Sequence, residues 1–177
     1  MSEPLPSRKI AIQLLRKSGC SPNVIRHCKT VAKLAIRMAK ILQKKGFNIN
    51  VELVEIGALL HDVGRSKTHS VNHAIAGAEI AKSAGLPDVV VRIIERHVGG
   101  GIPQDEADRL GWPKRGYVPK TWEERIVAYA DKLIEGNKRA PIDDAITKLS
   151  KKLGKNHPSI TRLRALDKEF QSLLGEF

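Results

Sequence analysis

The sequence has little of the features that would assign it to several common classes of protein. Cysteine occurs only twice in 177 residues, which excludes a disulfide framework, and Cys20 and Cys28 lack the spacing of a zinc finger. No apolar run approaches the roughly 20 residues of a membrane-spanning helix. The first residues also lack the uninterrupted apolar stretch of a secretory signal. We therefore expect a cytoplasmic protein with two reduced thiols.

Acidic residues are also scarce relative to basic ones. The chain has 19 Asp and Glu against 31 Lys and Arg, a formal net charge of +12. Such an excess predicts an anionic partner, which we expect to be a phosphorylated small molecule such as a nucleotide, or nucleic acid. The remaining composition, 41% hydrophobic and 28% charged, is typical of a globular protein. The length is that of a single domain, which we place at residues 1–177.

Residues that typically begin and end helices recur along the whole chain, and no segment alternates apolar and polar residues as a strand does. Candidate N-cap residues precede apolar residues at helical spacing, and glycines follow several of the predicted helices. The sequence therefore predicts an all-α fold. The helices are expected at about 8–17, 22–45, 51–62, 72–84, 88–98, 104–110, 122–136, 142–153 and 158–174.

Histidines and aspartates fall on the apolar faces of five of these helices. An unpaired carboxylate or imidazolium in the core is costly, and pairing or metal coordination removes that cost. Neutral imidazoles with carboxylates, and without cysteine, suit a divalent transition metal such as Fe, Mn, Co, Ni or Zn in a site with open positions. His69 and His157 lie in a loop and near a helix start, and we assign no metal to them. The candidate ligands are His27, His61, Asp62, His73, His97 and Asp131.

The order of four of these residues resembles a known family. His27, the doublet His61-Asp62 and Asp131, in the contexts GALLHDVGR and IVAYADKL, resemble the H…HD…D signature of the HD-domain superfamily of metal-dependent phosphohydrolases. The resemblance covers about residues 22–136. The chain also resembles small HD proteins from archaea. The resemblance to the superfamily implies an orthogonal helical bundle with the metal site in its centre. Residues 137–177 would then be basic helices packed on that core.

The resemblance also bears on the number of ions. Some branches of the superfamily have one histidine on each of the two helices between the doublet and the last aspartate, and His73 and His97 occupy those positions. By that likeness these two histidines hold one ion and Asp62 bridges to a second, whose terminal ligands are His27, His61 and Asp131. The alternative is a single ion, with His73 and His97 contacting its ligands or the substrate.

The resemblance implies an enzyme that hydrolyses a phosphoester or phosphoanhydride bond of a nucleotide or another phosphorylated small molecule. Two ions would activate a water, and the resulting hydroxide would attack phosphorus. Asp62 belongs to this machinery, Arg65 and Lys67 are predicted to contact phosphate, and Lys132 is a weaker candidate. Three alternatives stay open: solvated cations without a role, a nucleic-acid-binding protein with a structural HD site, and a diiron oxygenase of HD-like type.

Two further segments bear on specificity. Residues 99–120 are either a mobile lid whose Trp112 and Tyr117 stack on a base, or a capping loop with its aromatic residues anchored in the core. No GYP triplet follows His97, which argues against cyclic dinucleotide hydrolysis. The last third of the chain is basic, and its lysines predict either nucleic-acid contact or an ordinary solvated face.

Overall fold

The computed structural model describes residues 4–177, and the regular secondary structure within that range is almost entirely helical. Short 3₁₀ turns occur at Val63–Ser66 and Val98–Gly100, and β1 (Ile134–Glu135) pairs with β2 (Lys138–Arg139) in a small antiparallel hairpin. The all-α prediction is confirmed. The helices are α1 (Arg8–Lys17), α2 (Pro22–Lys44), α3 (Val51–Leu60), α4 (His73–Ser83), α5 (Asp88–Arg96), α6 (Gln104–Arg109), α7 (Trp122–Lys132), α8 (Ile142–Leu153) and α9 (Pro158–Leu174).

Four helices begin at side-chain caps that the sequence indicated. Ser7, Ser21, Asn50 and Thr121 each accept a hydrogen bond from the backbone N–H three residues further on. Each such cap satisfies an N–H that has no partner inside the helix and contributes about 1 kcal/mol. The caps of α2, α3 and α7 fix where these helices begin. Most of the predicted ligands lie on these helices or directly after them.

The predicted ends of the third, fifth and seventh helices were too late by two to four residues. His61 and His97 extend the apolar pattern beyond α3 and α5 because their rings stay inward after the helix has ended. The seventh helix was expected to continue to Gly136. It stops earlier because the Ala140 N–H donates to the Leu133 carbonyl at 2.8 Å, which closes the hairpin. Predicted ligands therefore lie at helix ends.

The main core forms around α3, which is buried over most of its length and contacts α1, α2, α5 and α7. Its apolar side chains meet one face of α2, and each fully buried aliphatic side chain there contributes about 1.5–3 kcal/mol. Cys20 and Cys28 are free thiols in the same core, and burial, followed by the charge of Asp62, raises the pKa of both. The core face of α2 consists of Cys28, Val31, Ala32, Leu34, Ala35, Met38, Ala39 and Leu42.

Residues 98–120 pack as a capping segment with a small core of their own. Trp112 and Tyr117 are buried, and their rings meet edge to face with centroids 5.1 Å apart. The Trp112 indole N–H donates to Asn72 Oδ1 at 2.8 Å, and Ile102 forms a β-bridge with Tyr117. The aromatic residues of this segment are therefore anchored in the core, as the second interpretation of the sequence expected.

The C-terminal helices attach to the bundle in different ways. Phe170 of α9 stacks on Tyr129 with ring centroids 4.7 Å apart and belongs to the main core. On α8 only Ile146 is fully buried, and it packs in a separate cluster with residues of α9. The guanidinium of Arg162 on α9 donates to both carboxylate oxygens of Glu106, at 2.8 and 2.9 Å, and so ties α9 to the capping segment.

Within residues 4–177, no helix has both the length and the apolar character needed to cross a membrane.

The close approach of the 3₁₀ turn to α4 depends on Gly64. A Cβ at this position would lie 1.9 Å from the His73 carbonyl oxygen and 2.6 Å from the Gly77 nitrogen. Because both are backbone atoms, relief requires the turn and the helix to separate. We expect Gly64→Ala to lower the free energy of unfolding by about 3 kcal/mol or more, measured by urea denaturation. Gly116→Ala is the control, since its Cβ would meet only the Gln104 nitrogen at 3.7 Å; equal stability of the two variants would contradict the prediction.

Candidate metal centre

The structure brings all six predicted ligands to one place in the bundle. His27 lies in the second turn of α2, and Asp131 lies in the last turn of α7. The other four lie where helices begin or end. His61 and Asp62 directly follow α3, His73 opens α4, and His97 directly follows α5. The centre therefore forms where five helices meet.

Each of the four histidines is oriented by a hydrogen bond to the backbone. In each ring Nδ1 lies 2.6–2.7 Å from a carbonyl oxygen. A carbonyl only accepts, so Nδ1 carries the proton and donates, and Nε2 keeps its lone pair in the neutral ring. This is the arrangement that orients imidazole as a metal ligand. The carbonyl acceptors belong to Gly136, Ala58, Ser70 and Ile94.

The first group of ligand atoms surrounds one side of Asp62. His27 Nε2 lies 3.0 Å and His61 Nε2 3.3 Å from Asp131 Oδ1. Asp62 Oδ2 lies 3.8 Å from the first of these nitrogens and 3.6 Å from the second. Ligand atoms bonded to one ion at about 2.0–2.2 Å are separated by distances of about this size. These four side chains could hold one metal ion.

The second group surrounds the other oxygen of the same carboxylate. His73 Nε2 lies 3.1 Å and His97 Nε2 3.4 Å from Asp62 Oδ1, and the two nitrogens are 3.0 Å apart. With both Nδ1 atoms bonded to carbonyls, two lone pairs face each other across this gap, an arrangement that a shared cation or a proton stabilises. Other groupings are also close, since ligand atoms of His61, Asp62 and His97 lie within 4.8 Å of one another.

Burial makes the centre unfavourable without a cation. His61 and His97 are almost fully buried, and Asp62 and Asp131 are 6% and 9% exposed. Among the described residues, His61 Nε2 makes no hydrogen bond of acceptable geometry, although it is fully buried. A buried polar atom without a partner costs about 1–3 kcal/mol. A metal ion at this position would satisfy it, so the residues present fit a divalent metal.

The pKa values of the centre show how strongly its charges interact. Burial alone would lower the pKa of His61, but the charges of Asp62 and Asp131 outweigh burial and raise it to about 9. His97 behaves oppositely, since burial, together with the charges of His61 and His73, lowers its pKa to about 4. The pKa values of both carboxyl groups lie well below their ordinary range despite burial, because neighbouring cations and histidine hydrogen bonds stabilise the ionised form.

The predicted phosphate-contacting cations occupy different positions. Arg65 lines the cleft beside the centre, with its Nε 3.4 Å from Asp62 Oδ1 and a second nitrogen donating to the His69 carbonyl at 2.8 Å. Lys132 also lines the cleft and pairs with Asp131 at 2.7 Å. Lys67 is exposed on the protein surface and does not line the cleft, so its contact with phosphate stays a prediction without support from its position.

A cleft of about 800 Å³ opens onto the centre. Sequence reasoning left α8 open between nucleic-acid contact and a solvated face, and it did not place this helix beside the metal centre as a wall of the cleft. Residues of α8 at successive turns line the cleft, among them Lys148 and Lys152, and His69 and His157 line it as well. The sequence of α8 does contain a signal, since adjacent basic and apolar residues repeat every four positions. The packing that turns this face towards the centre, however, involves residues far apart in the chain.

A family model described as the HD domain matches residues 24–136. The chain belongs to the HD domain family. The match ends before α8, so the helix that lines the outer part of the cleft lies beyond the segment that the family model matches. The prediction that residues 1–177 form one domain, with the first three lying outside the described residues, stays a prediction.

Relatives of this HD chain include proteins of two kinds. It is 49% identical over 158 residues to the uncharacterized protein MJ0778 of Methanocaldococcus jannaschii, covering 89% of this chain and 94% of that protein. It is 40% identical over 171 residues to a tRNA (cytidine(56)-2'-O)-methyltransferase of Picrophilus torridus. That match covers 97% of this chain but 48% of the methyltransferase, so the chain spans about half the length of that relative.

Among solved structures, the HD domain of the Listeria monocytogenes phosphodiesterase PgpH, in complex with cyclic-di-AMP, is similar to this chain. The TM-score is 0.55 at 20% sequence identity, and the match covers 93% of this chain and 98% of that one. At this identity the likeness shows the fold, an HD helical bundle.

The raised pKa of His61 makes metal binding to the HD centre release protons. In the metal-free protein the folded-state pKa of about 9 keeps this ring protonated at pH 7.5, whereas His97, with its pKa of about 4, is neutral. A ligand nitrogen must lose its proton before it binds metal. We expect titration of metal-free protein with Mn²⁺ at pH 7.5 to release at least about one proton per chain, measured by calorimetry in buffers of different ionisation enthalpy.

Repeating the same titration at higher pH provides the control. The proton released by His61 should disappear above pH 9, because the ring is then already neutral before the metal binds. Heat that does not depend on the buffer at pH 7.5 would contradict the protonated state of His61.

Proposed function

We propose that this HD chain is a metal-dependent phosphohydrolase that uses two divalent transition-metal ions to cleave a phosphoester or phosphoanhydride bond of a nucleotide or another phosphorylated small molecule. One observation carries the proposal. The two oxygens of Asp62 face two different groups of histidine nitrogens, at 3.1–3.4 Å on one side and 3.6–3.8 Å on the other. A carboxylate placed between two sets of ligands is the arrangement that bridges two ions.

Two bound ions would lower the pKa of a water between them and neutralise the charge of a phosphoryl group. The residues of the chain prepare that chemistry. The backbone carbonyls hold a proton on Nδ1 of each ring, which leaves Nε2 as the atom that would bind metal, and Asp62 and Asp131 supply the negative charge. Arg65 and Lys132 lie at the cleft side of these carboxylates, where their charged groups can hold a phosphate oxygen in place.

A nucleic-acid partner is a second candidate. It is supported by the Picrophilus torridus relative, whose name makes tRNA its substrate, and by the basic residues at the mouth of the cleft. This candidate is compatible with hydrolysis, because a nucleic-acid strand is itself a chain of phosphodiesters. An oxygenase with the same ligands differs in needing O₂, so hydrolysis of bis(p-nitrophenyl) phosphate and of a nucleotide panel should be assayed under anaerobic conditions.

The number of ions follows from metal analysis of three single variants. We expect about two transition-metal ions per chain in protein purified without chelators, measured by mass spectrometry. His97→Ala removes a ligand from the second group and should retain about one ion, whereas His61→Ala should lose most of the metal, since His61 lies close to ligands of both groups. His157→Ala is the matched control, because this histidine lines the cleft without being a proposed ligand.

The outcomes separate the alternatives that the sequence left open. One ion in the unaltered protein, retained in His97→Ala, would make the centre mononuclear. Protein that contains no metal and takes up none on reconstitution would refute the enzymatic proposal.

Arg65 should affect the substrate more than the metal. We expect Arg65→Ala to lower kcat/KM for phosphodiester hydrolysis about tenfold or more, because a charge-assisted hydrogen bond to phosphate is lost. Arg65→Lys should recover part of that loss, since it restores the charge without the planar fork. Metal content should match the unaltered protein in both variants. Loss of metal from Arg65→Ala would show instead that the guanidinium serves to position Asp62.

A further inference from the structure

One face of α8 forms a wall of the cleft along almost the whole helix. Six of its residues line the cleft, in adjacent pairs that repeat every four positions, so they form one continuous face. From the first to the last of them the helix rises about 13 Å. The six are Asp144, Ala145, Lys148, Leu149, Lys152 and Leu153.

This face has an apolar row that the bundle covers only in part, since Leu149 packs against the cluster of Ile146, Ile160 and Leu163. Leu149 is half-buried, and Leu153 is 41% exposed, which is unusual for a large aliphatic residue of this fold. The capping segment contributes Val98, Ile102 and the 40% exposed Leu110 to the lining of the same cleft. Apolar residues of α8 and of the capping segment therefore line the same cleft, and apolar lining of this kind suits flat, weakly polar groups such as nucleobases.

Beside the apolar row runs a basic row. Lys148 and Lys152 lie one helical turn apart, about 6 Å along the axis, and both are exposed. Lys148 forms a surface ion pair with Glu135, and such exposed pairs contribute little and are readily exchanged for another anion. Lys152 forms no ion pair within residues 4–177. Together with Lys132 beside the centre, these lysines bring positive charge to the cleft, which the carboxylates of Glu106, Glu135 and Asp144 also line.

A third polar group, the imidazole of His157, lies just beyond the end of α8, and a hydrogen bond fixes its tautomer in the neutral ring. His157 lines the cleft, and its Nδ1 accepts a hydrogen bond from the Ser159 N–H at 3.2 Å. In the neutral ring the proton is therefore on Nε2, which is a hydrogen-bond donor. A donor beside two lysines adds to a set of groups suited to phosphate and sugar oxygens.

The size of the cleft also exceeds what a small phosphate ester needs. A volume of about 800 Å³ is near the upper end of the roughly 300–1,000 Å³ range of ligand pockets. The two lysines that run beside the apolar strip of α8 match a polymer with phosphates along one edge and bases along the other. A single nucleotide at the metal centre would leave the α8 wall unused.

We propose that the cleft-facing side of α8 is a binding wall for single-stranded nucleic acid, with backbone phosphates along Lys148 and Lys152 and bases against Leu149 and Leu153. This inference rests on the proposed function, because it requires a phosphodiester of the bound strand to reach the HD centre. The substrate class is thereby an oligonucleotide, and specificity arises from a helix outside the segment that matches the family.

The test uses the full chain and two pairs of lysines on the same helix region. Lys148→Ala/Lys152→Ala removes the basic row, and Lys151→Ala/Lys155→Ala removes two exposed lysines that do not line the cleft. The probe is a fluorescently labelled hexanucleotide, as RNA and as DNA, measured by anisotropy with EDTA present so that it is not cleaved. The first pair should raise Kd about tenfold and reduce the slope of log K against log salt by about 1.4, the value for two lost phosphate contacts with a single strand.

The second readout is catalytic. In metal-loaded protein the ratio of kcat/KM for the hexanucleotide to that for a dinucleotide should fall in Lys148→Ala/Lys152→Ala and stay unchanged in Lys151→Ala/Lys155→Ala. Weakened binding of either strand, confined to the first pair, supports the proposal. Equal weakening in both pairs, or none in either, overturns it. Weakened binding in the first pair without hydrolysis of any substrate leaves α8 as a nucleic-acid wall and instead refutes the proposed phosphohydrolase activity.

Discussion

The site depends on the hydrogen bond from histidine Nδ1 to a backbone carbonyl, which occurs four times in the centre. For His61 and His97 the acceptor is the carbonyl three residues earlier, in the last turn of the preceding helix. Those carbonyls have lost their own helical partners, so the ring satisfies an acceptor that the end of a helix leaves free. One contact thus terminates a helix, orients an imidazole and exposes the Nε2 lone pair to the centre. The partial negative charge at the ends of α3, α5 and α7 also favours a cation there.

The general fold and the convergence of the six candidate ligands were predictable from the sequence because each rests on local pattern. Inward-facing histidines interrupt apolar stripes at helical spacing, and the caps at Ser21, Asn50 and Thr121 mark helix starts. The ends of α3 and α5 were predicted less well because of the same inward-facing histidines that indicated candidate ligands. An imidazole that continues the apolar face looks helical in sequence, although at His61 and His97 it closes the helix.

What the sequence could not supply was long-range packing. The bond between Arg162 and Glu106 joins residues 56 positions apart, and it orients α9, on which α8 rests. Nothing in the local pattern of α8 distinguishes a solvated basic helix from one whose apolar and basic rows face a cleft. Lys67 shows the converse, since its nearness to the doublet in sequence suggested a role in the site, whereas the chain turns it to the surface.

Charge explains why the centre and the basic wall belong together. Without metal, the two ionised carboxylates outweigh the protonated ring of His61 and leave a negative charge that repels phosphate, although the chain as a whole carries +12. With two divalent ions bound the sign reverses, and the centre attracts phosphate with a net charge of about +2. Arg65 and Lys132 already neutralise the carboxylates from the cleft side. Because the lysines of α8 do not depend on the metal for their charge, they would attract a strand before the centre is loaded, whereas the proposed cleavage would require both.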